Sequence, residues 1–268
     1  MRFECPLIGA AEKPNRLPED VHPLLQYQCK EHSYVMEQEI RDLIGRYYAP
    51  IAQYQEGAPN TRYKSWEWCH KAFREKRDAY WNAVSEEAKE EVVDYLSLHL
   101  AFYLASWGMY RASAFLLQRD YKTHKKAVRI LLEPQYELLW DYEPSNNNIE
   151  RAVALLLEGE RSLYSRVKAT YEQGNDIPTD TLVTKILLGS LGCVPAFDRF
   201  LKKGIALYKD RWPGAGISQR LNKQTFRVLC RFIIRYRASL VIPGDDQGTY
   251  PPMKCLDMFL WQAGFEAQ

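Results

Sequence analysis

The sequence predicts an all-α fold made of two helical lobes. Apolar residues recur at helical spacing in most segments of the 268-residue chain, and no segment shows a convincing strand pattern. Short oxygen-bearing side chains stand before several apolar runs, as helix starts require; Ser85 is followed by Glu86 and Glu87, which suit the first turn of a helix. A hydrophobic content of 46% allows a sizeable core.

The predicted elements follow one another from an irregular N-terminal arm over residues 1–30, which contains four prolines. A first helical lobe is predicted over 31–143 and a second over 149–268, and one continuous domain is the alternative. The segment 145–148, Ser-Asn-Asn-Asn, is the best internal linker. Helices are predicted over 31–48, 62–80, from Ser85 onward, 149–171, about 219–240, and 253–265.

The segment 92–117 is strongly apolar and has two interpretations. Its length suits a membrane span, for which about 20 apolar residues are needed. Asp94, His99 and Arg111 interrupt the run, however, and both flanks are charged. We therefore favour a buried helix and predict no association with a membrane. Gly108 either lets a neighbouring helix approach or marks a bend.

Composition predicts a cytoplasmic protein without a metal or cofactor. The six cysteines are scattered without a CxxC pair, and the first residues do not resemble a signal peptide, so reduced thiols are expected. The five histidines form no metal-binding motif, and no phosphate-binding glycine loop is present. The net charge of +2 does not indicate a partner by itself.

The segment 174–208 contains the strongest candidates for chemistry. It predicts two short helices separated by a break, the first capped by Thr179 or Asp180 after Pro178, and the second with Pro195 and Asp198 in its first turn. Lys185 and Asp198 are the candidate catalytic residues. The structural alternatives are a surface lysine and a carboxylate that only stabilises a helix start.

Basic residues cluster in three places. The first is 119–129, and the second is Arg199, Lys202 and Lys203. The third is a stripe on the predicted helix 219–240, where Arg and Lys recur every three or four residues. No acidic residue occurs between Arg211 and Gly244, so the stripe needs carboxylates from elsewhere or phosphates. The candidate nucleic-acid-binding residues are Arg199, Lys202, Lys203, Arg220, Lys223, Arg227, Arg231 and Arg235.

Residues 150–208 resemble the helix-hairpin-helix DNA glycosylases, the superfamily of 8-oxoguanine glycosylase. The segment Val194-Pro195-Ala196-Phe197-Asp198 is similar to the family's segment that runs from a proline to an aspartate at a helix start. The resemblance implies a helix-hairpin-helix-like core and DNA as partner. It also implies that Asp198 stabilises the charge that develops as a base leaves, or activates water, with Lys185 as a helper.

The chain departs from the family pattern at the hairpin. Gly174 to Thr179 replaces the family's Gly-x-Gly hairpin, Asp176 and Asp180 would repel phosphates, and Lys185 lies deeper in its helix than the family's nucleophile. A catalytically degenerate relative is therefore one alternative to an active glycosylase. A non-enzymatic helical interaction protein is another. The whole chain also resembles a bacterial family that implies no function.

Overall fold

A computed structural model describes residues 23–59, 61–112, 114–213, 216–242 and 250–268, with side chains described from Tyr34 onward. Over these residues the fold is all-α, as predicted, and contains no strand. Short 3-10 helices connect some of the longer elements, at Thr61–Lys64, Phe115–Gln118, Tyr121–His124 and Pro134–Leu139. The α-helices are α1 (Pro23–Ala52), α2 (Ser65–Trp81), α3 (Glu86–Ser106), α4 (Lys125–Leu131), α5 (Ile149–Leu157), α6 (Leu163–Ala169), α7 (Asp180–Ser190), α8 (Arg199–Leu207), α9 (Lys223–Tyr236) and α10 (Pro252–Glu266).

Two helices, α7 and α10, lie at the centre of the fold. Residues 182–190 of α7 are all buried, as are residues 252–261 of α10. α7 packs against α2, α3 and α6, while α10 packs against α1, α8 and α9. Buried residues from both predicted lobes share one hydrophobic core. A helix that is apolar on every side suits such a central position.

The helices α8 and α10 cross with their backbones in contact, at Gly204 and Gly264. A Cβ atom added to Gly264 would overlap the carbonyl oxygen of Phe200 and lie 2.8 Å from its carbonyl carbon. A Cβ atom on Gly204 would meet the Leu260 carbonyl group in the same way, again 2.8 Å from the carbon. Only glycine permits this approach, which fixes the start of α8 relative to α10.

Three predicted helix boundaries were wrong for identifiable reasons. The N-terminal arm was predicted to extend to residue 30, but α1 begins at Pro23, where a proline fits the first turn; residues 1–22 lie outside the described residues. The predicted helix 149–171 is two helices, α5 and α6, because the chain turns at Gly159, which has a φ of 71°. The helix predicted from residue 219 begins at Lys223, where Asn222 accepts a hydrogen bond from the Thr225 amide.

The apolar segment 92–117 is only partly helical. α3 starts after Ser85, as predicted, with the Ser85 side chain accepting a hydrogen bond from the Ala88 amide. It ends at Ser106, and Gly108 turns the chain with a φ of 73°. The chain therefore turns at Gly108, but after the helix has ended, and the prediction of one buried helix over the whole segment was wrong. No helix among the described residues is both long enough and apolar enough to cross a membrane.

A buried histidine, His124, lies between two tyrosines. Its Nε2 is 2.6 Å from the Tyr110 hydroxyl and its Nδ1 is 2.7 Å from the Tyr171 hydroxyl. A neutral ring satisfies both tyrosines, since one nitrogen donates and the other accepts. Burial lowers the pKa of His124 to about 4, against a smaller raising effect of Asp120.

This histidine is expected to make the protein less stable in mild acid. The pKa of His124 is lower in the folded chain than its unfolded value of about 6.5, so the unfolded chain binds more protons between these values. Stability therefore decreases as pH falls through 6.5 towards 4, by about 2 kcal/mol between pH 7.5 and pH 5 for this group. Urea midpoints at the two pH values measure the loss. A His124→Gln variant should lose less, and an equal loss in both proteins would contradict the assignment.

Candidate functional site

Asp198 is the residue that starts α8. Its backbone is extended, with φ −84° and ψ −177°, and its Oδ1 accepts hydrogen bonds from the amides of Phe200 and Leu201 at 3.0 and 3.1 Å. It therefore lies at the N-cap position, one residue before α8 begins at Arg199. The prediction that Pro195 and Asp198 lie within the first turn was wrong, because both residues precede the helix. The capping role predicted as a structural alternative is present.

The segment before Asp198 is held by side chains of two other helices. The amide of Ala196 donates to Asp257 Oδ1 at 2.9 Å, and the amide of Phe197 donates to Thr184 Oγ1 at 2.9 Å. Thr181 Oγ1 in turn donates to the Phe197 carbonyl at 2.9 Å. Buried backbone amides need such partners, and here they also fix the position of the Asp198 carboxylate.

Lys185 contacts Asp198 directly. The two residues are 13 positions apart in the sequence, yet Lys185 Nζ lies 3.1 Å from Asp198 Oδ2. Their side chains are 6% and 14% exposed, so the ion pair is nearly removed from water. The Lys185 ammonium group also lies 5.0 Å from the centre of the Trp107 ring. The surface-lysine interpretation of Lys185 is therefore wrong.

A second ammonium–carboxylate pair, which the sequence analysis missed, lies in the first turns of α10. Lys254 Nζ is 3.0 Å from Asp257 Oδ2, and these side chains are 3% and 5% exposed. The same ammonium group donates to the Tyr47 hydroxyl at 3.2 Å. The available signal was a Lys-x-x-Asp spacing inside a helix that is otherwise almost entirely apolar.

Both pairs line one small internal cavity. The centre of a water-sized atom can occupy about 10 Å³ of this cavity, which is room for about one such atom. Its remaining walls are mainly aromatic, with Trp107 and Trp261 ring centres 5.9 Å apart and Tyr47 and Trp261 5.5 Å apart. The lining residues are Tyr47, Tyr103, Trp107, Lys185, Leu188, Ala196, Asp198, Lys254, Asp257 and Trp261.

Two tyrosines of this cavity keep their hydroxyl protons. Burial raises the pKa of Tyr47 and of Tyr103 well above 10, and the negative charges of Asp257 and Asp198 raise both further. Both phenols therefore remain neutral at ordinary pH and can donate a hydrogen bond. The cavity thus combines two cations, two anions and several neutral donors.

The basic residues predicted on α8 have different environments. Arg199 is exposed and its guanidinium lies 4.4 Å from the centre of the Phe200 ring. Lys202 is half-buried. Lys203 donates to the Ala267 carbonyl near the end of the chain. Arg199 is the member of this group that presents its charge most freely to solvent.

The stripe on α9 is partly neutralised by this chain's own carboxylates. Lys223 pairs with Glu158 at 2.7 Å, and Arg227 forms two bonds to Glu150. Arg231 and Arg235 are exposed and form no ion pair with any described residue, and Arg220 precedes the helix and is also exposed. The opposite face of α9 is buried, as predicted.

The basic cluster over 119–129 is mostly paired within the chain. Arg119 pairs with Asp176 at 2.8 Å, while Lys125 and Arg129 both contact Glu90. Glu90, on α3, therefore neutralises residues of α4 and not the stripe on α9. This cluster offers less free positive charge than the sequence suggests.

Of the aromatic residues Trp107, Tyr110 and Trp212, which could stack on a base, one lines the cavity. Trp107 is half-buried at the end of α3 and contacts both Lys185 and Trp261. Tyr110 bonds to His124, and Trp212 is buried with its indole donating to the Ile205 carbonyl at 3.0 Å. Tyr110 and Trp212 thus have structural partners away from the cavity.

No metal site appears in the part of the chain that the structure describes: no three His, Cys, Asp or Glu side chains there lie close enough together to hold an ion. Comparison with known proteins finds no matching family model, no similar curated protein and no similar solved structure. The assignment of function therefore rests on the geometry of Lys185, Asp198 and their neighbours.

Proposed function

We propose that this protein interacts with nucleic acid and resembles a DNA base-excision glycosylase, with Asp198 and Lys185 at the reacting centre. The observation that carries the proposal is the 3.1 Å contact between Lys185 Nζ and Asp198 Oδ2 at the start of α8. A carboxylate fixed by two backbone amides is suited to stabilise positive charge on a deoxyribose ring. Lys185 would orient this carboxylate.

The internal cavity is too small for a nucleobase. A flipped nucleotide would reach Asp198 only if an aromatic wall moved, and Trp107, which is half-buried, is the wall residue with the most freedom to do so. In this proposal the aromatic rings cover the Lys185–Asp198 pair, and the flipped nucleotide displaces Trp107 when it enters.

The α9 stripe would supply the contacts to the phosphate backbone. Arg231 and Arg235 are exposed and without an ion-pair partner among the described residues, so they can approach phosphates without breaking a bond within the protein. Arg227 and Lys223 would first have to leave Glu150 and Glu158.

Binding to duplex and single-stranded DNA across a salt series tests the phosphate face. Affinity is expected to fall steeply with salt, and Arg231→Glu/Arg235→Glu should weaken binding about 10-fold or more and flatten the salt dependence. These two positions are preferable to Arg227, because they leave its ion pair with Glu150 intact.

A variant with the same change of charge elsewhere provides the control. Arg41 on α1 and Lys71 on α2 are exposed, and Arg41→Glu/Lys71→Glu should bind DNA nearly as well as the parent chain. Equal losses in the two double variants would mean that net charge alone drives binding. An absence of binding at low salt would contradict the proposed partner.

A helical protein-interaction module is the second candidate. Glu150 and Glu158 form ion pairs with two residues of the α9 stripe, and Asp198 caps α8. Each of these three carboxylates therefore already has a partner within the chain. This candidate predicts that the protein does not bind DNA even at low salt, and that substituting Asp198 changes only stability.

A further inference from the structure

The cavity between α7, α8 and α10 has more hydrogen-bond donors than acceptors. Among the buried side-chain nitrogen and oxygen atoms of the described residues, the indole Nε1 atoms of Trp107 and Trp261 have no hydrogen-bond partner, and both residues line this cavity. Trp261 is only 4% exposed. A buried indole N–H without an acceptor is costly, so two of them on residues that line one cavity indicate a missing acceptor.

The carboxylates of the cavity already accept hydrogen bonds from other donors. Asp198 accepts from two amides and from Lys185. Asp257 accepts from the Ala196 amide and from Lys254. Each ammonium group has three hydrogen atoms, and in the protein Lys185 uses one of them and Lys254 uses two. Donor capacity therefore remains after the two ion pairs have formed.

The fixed charges of the cavity nearly cancel. Lys185 and Lys254 pair with Asp198 and Asp257, and the start of α8 adds about half a positive charge. α3 ends beside Trp107 and contributes about half a negative charge. The unpaired donors, and not a net charge, therefore indicate the ligand: a halide ion accepts hydrogen bonds and donates none.

We propose that this cavity binds a small inorganic anion of halide size, held by the indole N–H groups of Trp107 and Trp261 and by the ammonium groups of Lys185 and Lys254. The available space limits the ligand to about one water-sized atom, which fits chloride and excludes sulfate. The site shares Lys185 and Trp107 with the proposed reacting centre, but anion binding requires no DNA and can be tested on the protein alone.

Two-dimensional NMR of the indole N–H groups provides the test. The chain contains seven tryptophans, and the protein is titrated with sodium chloride while sodium sulfate keeps the ionic strength constant. The signals of Trp107 and Trp261, assigned with Trp107→Phe and Trp261→Phe, are expected to shift together and saturate with one half-saturation concentration. A phenylalanine keeps an aromatic ring in place and removes the donor.

The third unpartnered indole provides an internal control. Trp140 Nε1 is also buried without a partner but lies outside the cavity, so its signal should stay in place. In Trp261→Phe, the half-saturation concentration reported by Trp107 should rise at least about threefold, with the other signals showing that the protein is folded. Shifts that never saturate, or equal shifts with sulfate alone, would overturn the proposal even in the parent protein.

Discussion

Replacement of Gly264 by alanine is expected to destabilise the protein by about 3 kcal/mol or more, or to prevent folding. The added Cβ would overlap the Phe200 carbonyl group, and that group belongs to helix backbone, which cannot rotate away as a side chain can. The two helices would have to separate, which would break the most extensive helix–helix contact among the described residues. Thermal or urea unfolding measures the loss.

A second glycine in a helix provides the matched control for this prediction. Gly45 lies in α1, and a Cβ atom added there meets nothing within 4 Å. Gly45→Ala should therefore stabilise the protein by about 0.5–1 kcal/mol, through helix propensity and a less flexible unfolded chain. If Gly264→Ala were as stable as the parent, the close crossing of α8 and α10 would be wrong.

The second large effect is expected at the buried pair Lys254–Asp257. Removing one charge leaves the other buried without a partner, so Lys254→Met or Asp257→Asn alone should cost about 3–5 kcal/mol. Asparagine retains an acceptor for the Ala196 amide, which separates the loss of charge from the loss of that hydrogen bond. The double variant should be clearly more stable than the sum of the single losses predicts.

An exposed ion pair between α1 and α10 shows what a pair contributes in water. Arg46 and Glu266 are 54% and 40% exposed, and Glu266→Gln should cost less than about 1 kcal/mol. Additive losses in the Lys254 and Asp257 variants, or losses as small as that of Glu266→Gln, would mean that the two charges do not interact in the core.

The all-α fold could be predicted from the sequence because its signals are local. The caps at Ser85 and Thr179 and the buried face of α9 follow from residue type and spacing. Thr179, one of the two residues considered for the start of α7, accepts from the Leu182 amide. The boundaries that failed depend on single glycines or on tertiary packing, such as the turn at Gly159 that divides α5 from α6.

The candidate site could be predicted only in part. The segment 194–198 pointed to Asp198, and Lys185 was the one lysine on the helix after the hairpin segment. Their contact depends on how α7 packs beside the start of α8. Lys254 and Asp257 come from a helix more than 50 residues later, so local spacing could not place them beside Asp198. The partners of the α9 stripe, Glu150 and Glu158, were likewise set by the packing of α5 on α9.

The most direct test of the proposed function compares two DNA duplexes that differ by one charge. One carries a pyrrolidine abasic analogue with a positively charged ring nitrogen, and the other carries a neutral tetrahydrofuran analogue of the same shape. Both lack the base, so neither has to pass a nucleobase into the small cavity.

If Asp198 stabilises positive charge on a deoxyribose ring, the protein should bind the pyrrolidine duplex about 10-fold more tightly or better. Asp198→Asn, which can still cap α8, should lose this preference while it binds the tetrahydrofuran duplex as before. Equal affinity of the parent protein for the two duplexes, or a preference that persists in Asp198→Asn, would contradict a role for Asp198 in chemistry on DNA.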